Sequence, residues 1–278
     1  MDKIALFGPN GKSGHQFLRL ALDAGYNVHV LLSPKVSLRA IQEFAGHPRL
    51  SITTGNLTDE EQIEEVVQDA QYIVCMLNDT LPTKREYPAK TLLHFVQRLY
   101  SIIGHRQSKL KLFVFQSNSL APCVKGGTTP LLSKLLKTAA RNRCAATKDQ
   151  SAVVKFIGRQ HGILRRNKDE KKHYNEVEED KMQQIHAEDD DSDINQEDDI
   201  STTQQAPLPS TEPPTFDFLI TRPTVLLQDG PPSKDLKASK SQPGPFPVRY
   251  ADVASFTLGA LRNERLHNTS PYVVADSF

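Results

Sequence analysis

Three cysteines occur in 278 residues, at 75, 123 and 144, and no two of them form a CxxC pair or stand near a histidine at ligand spacing. A disulfide framework and a thiolate zinc site are therefore both excluded, and a reducing compartment fits the usage. No apolar run approaches the roughly 20 residues that a bilayer-crossing helix needs. The N-terminal "MDKIALFGP" runs straight into a strand pattern, with no basic region, long apolar core or Arg-rich leader ahead of it. The expectation is a cytoplasmic protein with no membrane partner. The nine histidines are scattered without an HxxxH pair, so no metal site is expected.

Net charge is also close to absent, at +1, and gives no reason to expect a nucleic acid partner. Its distribution is uneven. Between Asp169 and Asp199 fourteen Asp or Glu stand against three Lys, a balance of −11 that leaves +12 on the rest of the chain. Residues 165–214 are rich in charge, Gln, Ser, Thr and Pro and nearly empty of large apolar groups. They read as a disordered acidic insertion that cannot bury enough surface to offset its ordering entropy. Within it "DDDSD" (189–193) lacks the glycine turn and closing glutamate of a calcium loop.

What is present is a regular alternation of strand and helix signals. "KIALF" is followed by a glycine loop and by "HQFLRLALDAG", where Phe17, Leu18, Ala21 and Leu22 recur at helical spacing and Gly25 supplies a stop. "NVHVLL" is a second strand, residues 37–45 a short helix and "RLSITTGNL" a third strand. Thr58 and Glu61 have capping-box spacing for a helix through Val67. "AQYIVCML" is a run apolar enough for a strand buried on both faces, with Cys75 as a core thiol. A helix over 89–103, a fifth strand "KLFVFQS" and a helical region over 131–160 follow. Beyond the insertion come a strand "TFDFLITRPTVLL", a helix "YADVASFTLGALRN" and a last strand "SPYVVAD". The fold class is α/β, a Rossmann-like doubly wound parallel sheet. It forms one domain in two parts, residues 1–164 and 215–278, with 165–214 inserted between them.

The loop "GPNGKSG" places glycines at 8, 11 and 14, between a strand and a helix. Gly8 permits the tight turn, Gly11 lets the backbone approach a pyrophosphate and Gly14 lets the helix pack closely. The helix start faces the phosphates with its unpaired N–H groups, and Lys12 and Ser13 add a charge and a hydroxyl. Two other readings exist: a plain tight turn, or a P-loop, whose GxxxxGKS spacing is not met by GxxGKS. An NAD site usually places a carboxylate at the end of the second strand. None lies between Leu31 and Arg39, and Ser33 and Lys35, with Arg39, point to NADP(H) over NAD(H).

The glycine loop block, "GNLTDEEQIEEVVQDAQYIVCML", "VFQSNS", "FDFLITRPTVL" and "VRYADVASFTLGALRN" together resemble the atypical short-chain dehydrogenase/reductases. The branch they are most similar to is the NAD(P)H-binding, NmrA-like group that includes flavin reductases. The resemblance implies that Gly8, Asn10, Gly11, Lys12 and Ser13 hold the pyrophosphate. It further implies that Asn56 and Leu57 lie beside the adenine, that Leu77 and Asn78 line the ribose, and that Ser117, Arg222 and Pro223 lie at the nicotinamide end. Ser33 and Thr224 stand where the flavin-reductase branch has Arg and His.

Tyrosine-dependent members of that superfamily need Tyr-x-x-x-Lys on a helix, where the lysine lowers the phenol pKa. None of the seven tyrosines has Lys four residues on. Hydride transfer from NADPH to a flavin, quinone or similar small acceptor needs no such pair, and Ser117 is the expected catalytic residue. The alternative is a non-catalytic NAD(P)-sensing regulator or assembly factor. The acidic insertion follows a helix and precedes a strand, at the end of the sheet away from a cofactor, where it would take a protein partner.

Overall fold

The computed structural model describes residues 2–34, 38–77, 91–106, 109–119, 121–124, 145–164, 213–227, 230–233, 235–241 and 247–275. Lys35, Asn78, Cys144 and the acidic stretch 169–199 lie outside them, as do most of 165–214 and the first part, 131–144, of the helical region expected over 131–160.

The strands are β1 (Lys3–Phe7), β2 (Asn27–Leu32), β3 (Leu50–Thr54), β4 (Tyr72–Cys75), β5 (Leu112–Gln116), β6 (Asp217–Pro223), β7 (Val225–Leu227), β8 (Leu236–Ser239), β9 (Pro247–Arg249) and β10 (Tyr272–Ala275). The helices are α1 (Lys12–Asp23), α2 (Glu60–Val67), α3 (Thr91–Arg106), α4 (Ala145–Gln160) and α5 (Tyr250–Ala260). Eight strands form one sheet in the order β3-β2-β1-β4-β5-β6-β10-β8, and β7 with β9 forms a separate parallel pair. Every pairing in the large sheet is parallel except that of β8 with β10. Strand order reverses between β1 and β4. In doubly wound sheets a ligand crevice lies at such a point, outside the carboxyl ends of the strands.

The central strands are apolar along their whole length because both faces are covered. Phe7, Ile73, Cys75, Phe113, Phe115, Phe218 and Ile220 pack beneath α2, α3 and α4. Ile4, Leu6, Val74, Leu112, Val114 and Leu219 pack beneath α1 and α5 with Phe17, Leu18 and Leu22. The exception within β2 is His29, buried and bonded through Nε2 to Thr53 Oγ1 at 2.8 Å. Burial lowers its pKa, so the ring stays neutral in the sheet.

Four local expectations are revised. Residues 38–44 form a 3-10 turn with a kink at Ile41 (φ −129°) in place of a regular helix. Asp59, not Thr58, caps α2. Its carboxylate accepts from the Asn56 amide at 2.8 Å and from Asn56 Nδ2 at 3.1 Å, which closes the turn one residue later than the capping box requires. The strand expected over 215–227 is broken after Pro223. Having no N–H, Pro223 cannot extend the ladder, and Val225–Leu227 leaves to pair with β9. Finally, β8 and β9 are strands without a sequence signal: β8 is a mostly exposed edge with a charged residue, and β9 is three residues long. Gly25 does end α1 as read, with φ +86° after the cap at Ala24.

Candidate functional site

The glycine loop joins β1 to α1 at the switch point. Gly8 has φ +89°, and a Cβ there would lie 2.5 Å from the Met76 carbonyl oxygen at the end of β4. Any side chain would thus be strained twice, by backbone conformation and by contact. A Cβ on Gly14 would lie 1.9 Å from the Gly8 carbonyl oxygen, so the loop folds back directly onto the first turn of α1. Gly11 caps the helix in an extended conformation (φ −74°, ψ 157°). Its N–H donates to Gly8 at 3.2 Å, and its carbonyl accepts from His15 at 2.8 Å, the first bond of the helix.

The amides of the first turn have no carbonyl within α1 to bond, and they carry the positive end of its dipole. No acidic residue stands in that turn. A cleft of about 240 Å³ opens beside it, lined by Asn10, Lys12, His15, Gln16 and Tyr250 and by the backbone at Gly230. Lys12 Nζ lies 5.1 Å from the centre of the Tyr250 ring and forms no ion pair among the described residues. The nearby carboxylate of Glu43 is taken by Arg19 at 2.8 Å and His15 at 2.9 Å. Burial lowers the His15 pKa and Glu43 opposes it. The loop face is thus electropositive through Lys12 and the helix end.

Ser13 is placed differently from a phosphate-facing hydroxyl. Its side chain is fully buried, and Oγ accepts from Gln116 Nε2 at 3.2 Å, which ties the loop to the end of β5. Only its backbone stands at the helix start. Gln116 itself escaped the sequence reading; its one signal is a polar residue closing the apolar run "LFVFQ".

On the β2 side, Ser33 is half-buried just past the strand, and Gly55 N–H donates to the Leu32 carbonyl at 3.0 Å, joining the ends of β2 and β3. Arg39 is exposed in the 3-10 turn. Asn56 is exposed, its Nδ2 donating to Asp59, and the bond from its backbone amide foremost holds the Asp59 carboxyl below its usual range. Leu57 packs half-buried on the core. Leu77, buried, follows β4 past the Met76 amide, which donates to Phe7 at 2.8 Å.

At the opposite side of the switch point, Ser117 directly follows β5, its N–H donating to Thr221 at 2.8 Å. The side chain is 1 % exposed and its hydroxyl has no hydrogen-bond partner among the described residues. Arg222, near the end of β6, is also 1 % exposed. Its Nε donates to the Ser270 carbonyl at 2.8 Å, and its guanidinium lies over the Tyr272 ring, 3.9 Å from the centre. Burial raises the Tyr272 phenol pKa while Arg222 opposes the shift. Pro223 ends the strand. Tyr272, Ser270 and Tyr250 were all missed as site neighbours, because only the sheet order brings them here.

Cys75 lies within β4, where burial pushes its thiol up to about 12, a poor nucleophile. Among the described residues no three His, Cys, Asp or Glu side chains gather as metal ligands, and no helix is long and apolar enough to cross a membrane.

This order of strands, with a glycine loop at the switch point, is that of a Rossmann-like doubly wound fold. No protein-family model matches the chain, and no curated protein matches it in sequence. Solved structures do. A short-chain dehydrogenase/reductase from Veillonella parvula, in complex with NADP, aligns with a TM-score of 0.61 at 11 % identity, covering 99 % of this chain and 95 % of its own. The anaerobilin reductase ChuY of Escherichia coli O157:H7 aligns with 0.59 at 15 % identity, covering 100 % and 98 %. A Rossmann-fold NAD(P)-binding family protein from Shigella flexneri aligns with 0.51 at 9 %, covering 100 % and 95 %. At these identities the likeness shows the fold alone, a Rossmann-like doubly wound sheet.

Proposed function

We propose that the chain binds NADPH and reduces a flavin, quinone or related small acceptor without a Tyr-x-x-x-Lys pair. The observation that carries this reading is the glycine cradle at the switch point, with backbone spaces at Gly8 and Gly14 that admit no side chain and, beside the helix start, a Lys12 with no ion pair among the described residues. The donor set fits a pyrophosphate, and the Veillonella protein of like fold, in complex with NADP, supports the reading. Ser33, and Lys35 outside the described residues, support the phosphorylated dinucleotide through the lack of a carboxylate after β2.

When bound, NADPH supplies the hydride, and an acceptor with its own electron sink takes the accompanying proton from water. The chain's part is then binding and orientation. Lys12 and the first turn of α1 hold the phosphates, and Leu77 forms an apolar wall at the end of β4. Ser117 directs its unpartnered hydroxyl toward the carboxamide or the acceptor. A protein partner at the acidic insertion belongs to the same proposal as a separate, remote contact.

The experiment follows NADPH absorbance with wild type and Ser117→Ala, using FMN and menadione as acceptors. Acceptor-dependent oxidation that falls at least about tenfold in the variant supports the reading. NADPH binding without oxidation by either acceptor overturns it in favour of an NAD(P)-sensing regulator.

A further inference from the structure

Arg222 carries a charge inside the protein, 1 % exposed, with no carboxylate paired to it among the described residues. Among the described residues it forms no ion pair within 4.0 Å, and its Nη2 has no hydrogen-bond partner. The groups around it hold it in place without neutralising it. Ser270 accepts Nε through its carbonyl at 2.8 Å. The hydroxyl of the same Ser270 accepts from the Val124 amide at 3.1 Å and lies 3.2 Å from Cys123 Sγ. Tyr272 supplies its ring face and a neutral phenol that hydrogen-bonds the guanidinium. A buried guanidinium left in this state is costly unless an anion completes it.

Sheet geometry supplies the second half of the site. Gln116 and Thr221 are register partners, so Ser117 and Arg222 are the next residues along on neighbouring strands, about 4.8 Å apart by strand spacing. Side chains alternate along a strand. Phe113 and Phe115 on β5, and Phe218 and Ile220 on β6, face α3 and α4, and by that alternation Ser117 and Arg222 face the same way. Ser117 and Arg222 thus stand on neighbouring strands at the carboxyl ends, each buried and each carrying one polar atom without a hydrogen-bond partner among the described residues.

We propose that Arg222 Nη2 and Ser117 Oγ form a subsite for a carboxylate group of the acceptor. This rests on the reductase reading above and narrows its substrate class to acceptors bearing a carboxylate. One guanidinium edge and one hydroxyl match the two oxygens of a carboxylate; a phosphate would leave an oxygen without a donor here. A charge-assisted bond in a site shielded from water is strong. The hydroxyl of Ser117 donates to the carboxylate, and no proton changes owner on binding.

The test is calorimetric titration of the full chain with benzoate and with its neutral isostere benzamide, each with and without saturating NADPH. Benzoate is expected to bind about tenfold or more tighter than benzamide. Arg222→Met is expected to abolish that preference, Arg222→Lys to keep part of it, and Ser117→Ala to weaken benzoate several-fold. Equal affinity for the two isosteres, or benzoate binding that survives Arg222→Met, overturns the proposal. If Arg222→Met fails to fold, the wild-type ratio and Ser117→Ala decide the matter alone. Benzoate preference in the absence of any NADPH oxidation would support the subsite while overturning the reductase reading.

Discussion

Gln116 and Ser13, 103 residues apart in sequence, are joined by a buried hydrogen bond of 3.2 Å between Nε2 and Oγ. The bond anchors the start of α1 to the end of β5 and so fixes the glycine loop relative to Ser117, the next residue along. Ser13→Ala is expected to destabilise the fold by about 1 kcal/mol, the worth of one buried hydrogen bond. NADPH affinity should stay within about threefold, because the side chain points away from the helix start. Urea unfolding and fluorescence titration check the two halves separately.

Gly14→Ala puts a methyl 1.9 Å from the Gly8 carbonyl oxygen, a backbone atom that cannot rotate aside. The loop must shift, at a cost of about 3 kcal/mol. Thermal unfolding and nucleotide titration should fall together in this variant. Unchanged melting would mean that the loop and helix do not meet as described.

Asp149 on α4 caps another helix altogether: its carboxylate accepts from the Leu92 and Leu93 amides of α3 at 2.8 and 3.0 Å. Replacing it with Ala is expected to cost about 1–2 kcal/mol. The loss should appear in equilibrium unfolding and in faster amide exchange over the first turn of α3.

His161, packed against Phe216, Phe218 and Tyr100, has its pKa lowered by burial, against the pull of Asp217, to about 4. Its folded pKa lies below the ordinary value of 6.5. Between those values the unfolded chain binds a proton that the native chain refuses. Stability from this group is complete above pH 6.5 and is lost as pH falls toward 4, at up to about 1.4 kcal/mol per pH unit. Urea unfolding at pH 7.5, 5.5 and 4.5 should show a shallower decline for His161→Gln than for wild type.

Much of the fold was legible because the buried parallel strands announce themselves as apolar runs, as "KIALF" and "YIVC" do, and because Gly25 stops α1 by its positive φ. Other features depended on tertiary pairing. The break after Pro223 follows from where β9 lies, and the mostly exposed β8 carries no periodic signal. The glycine loop was legible as a cradle, but the inward turn of Ser13 required knowledge of Gln116 behind it. The neighbours of Arg222 were invisible for the same reason: Ser270 and Tyr272 lie 48 and 50 residues away and reach it only because β10 pairs with β6.

The cradle's function is tested most directly by titrating the purified chain with NADPH and with NADH and following nucleotide fluorescence. Saturable binding of NADPH, tighter than that of NADH and lost in Gly14→Ala, is the predicted result. No saturable binding of either nucleotide would contradict the account and leave "GPNGKSG" as no more than a turn between a strand and a helix.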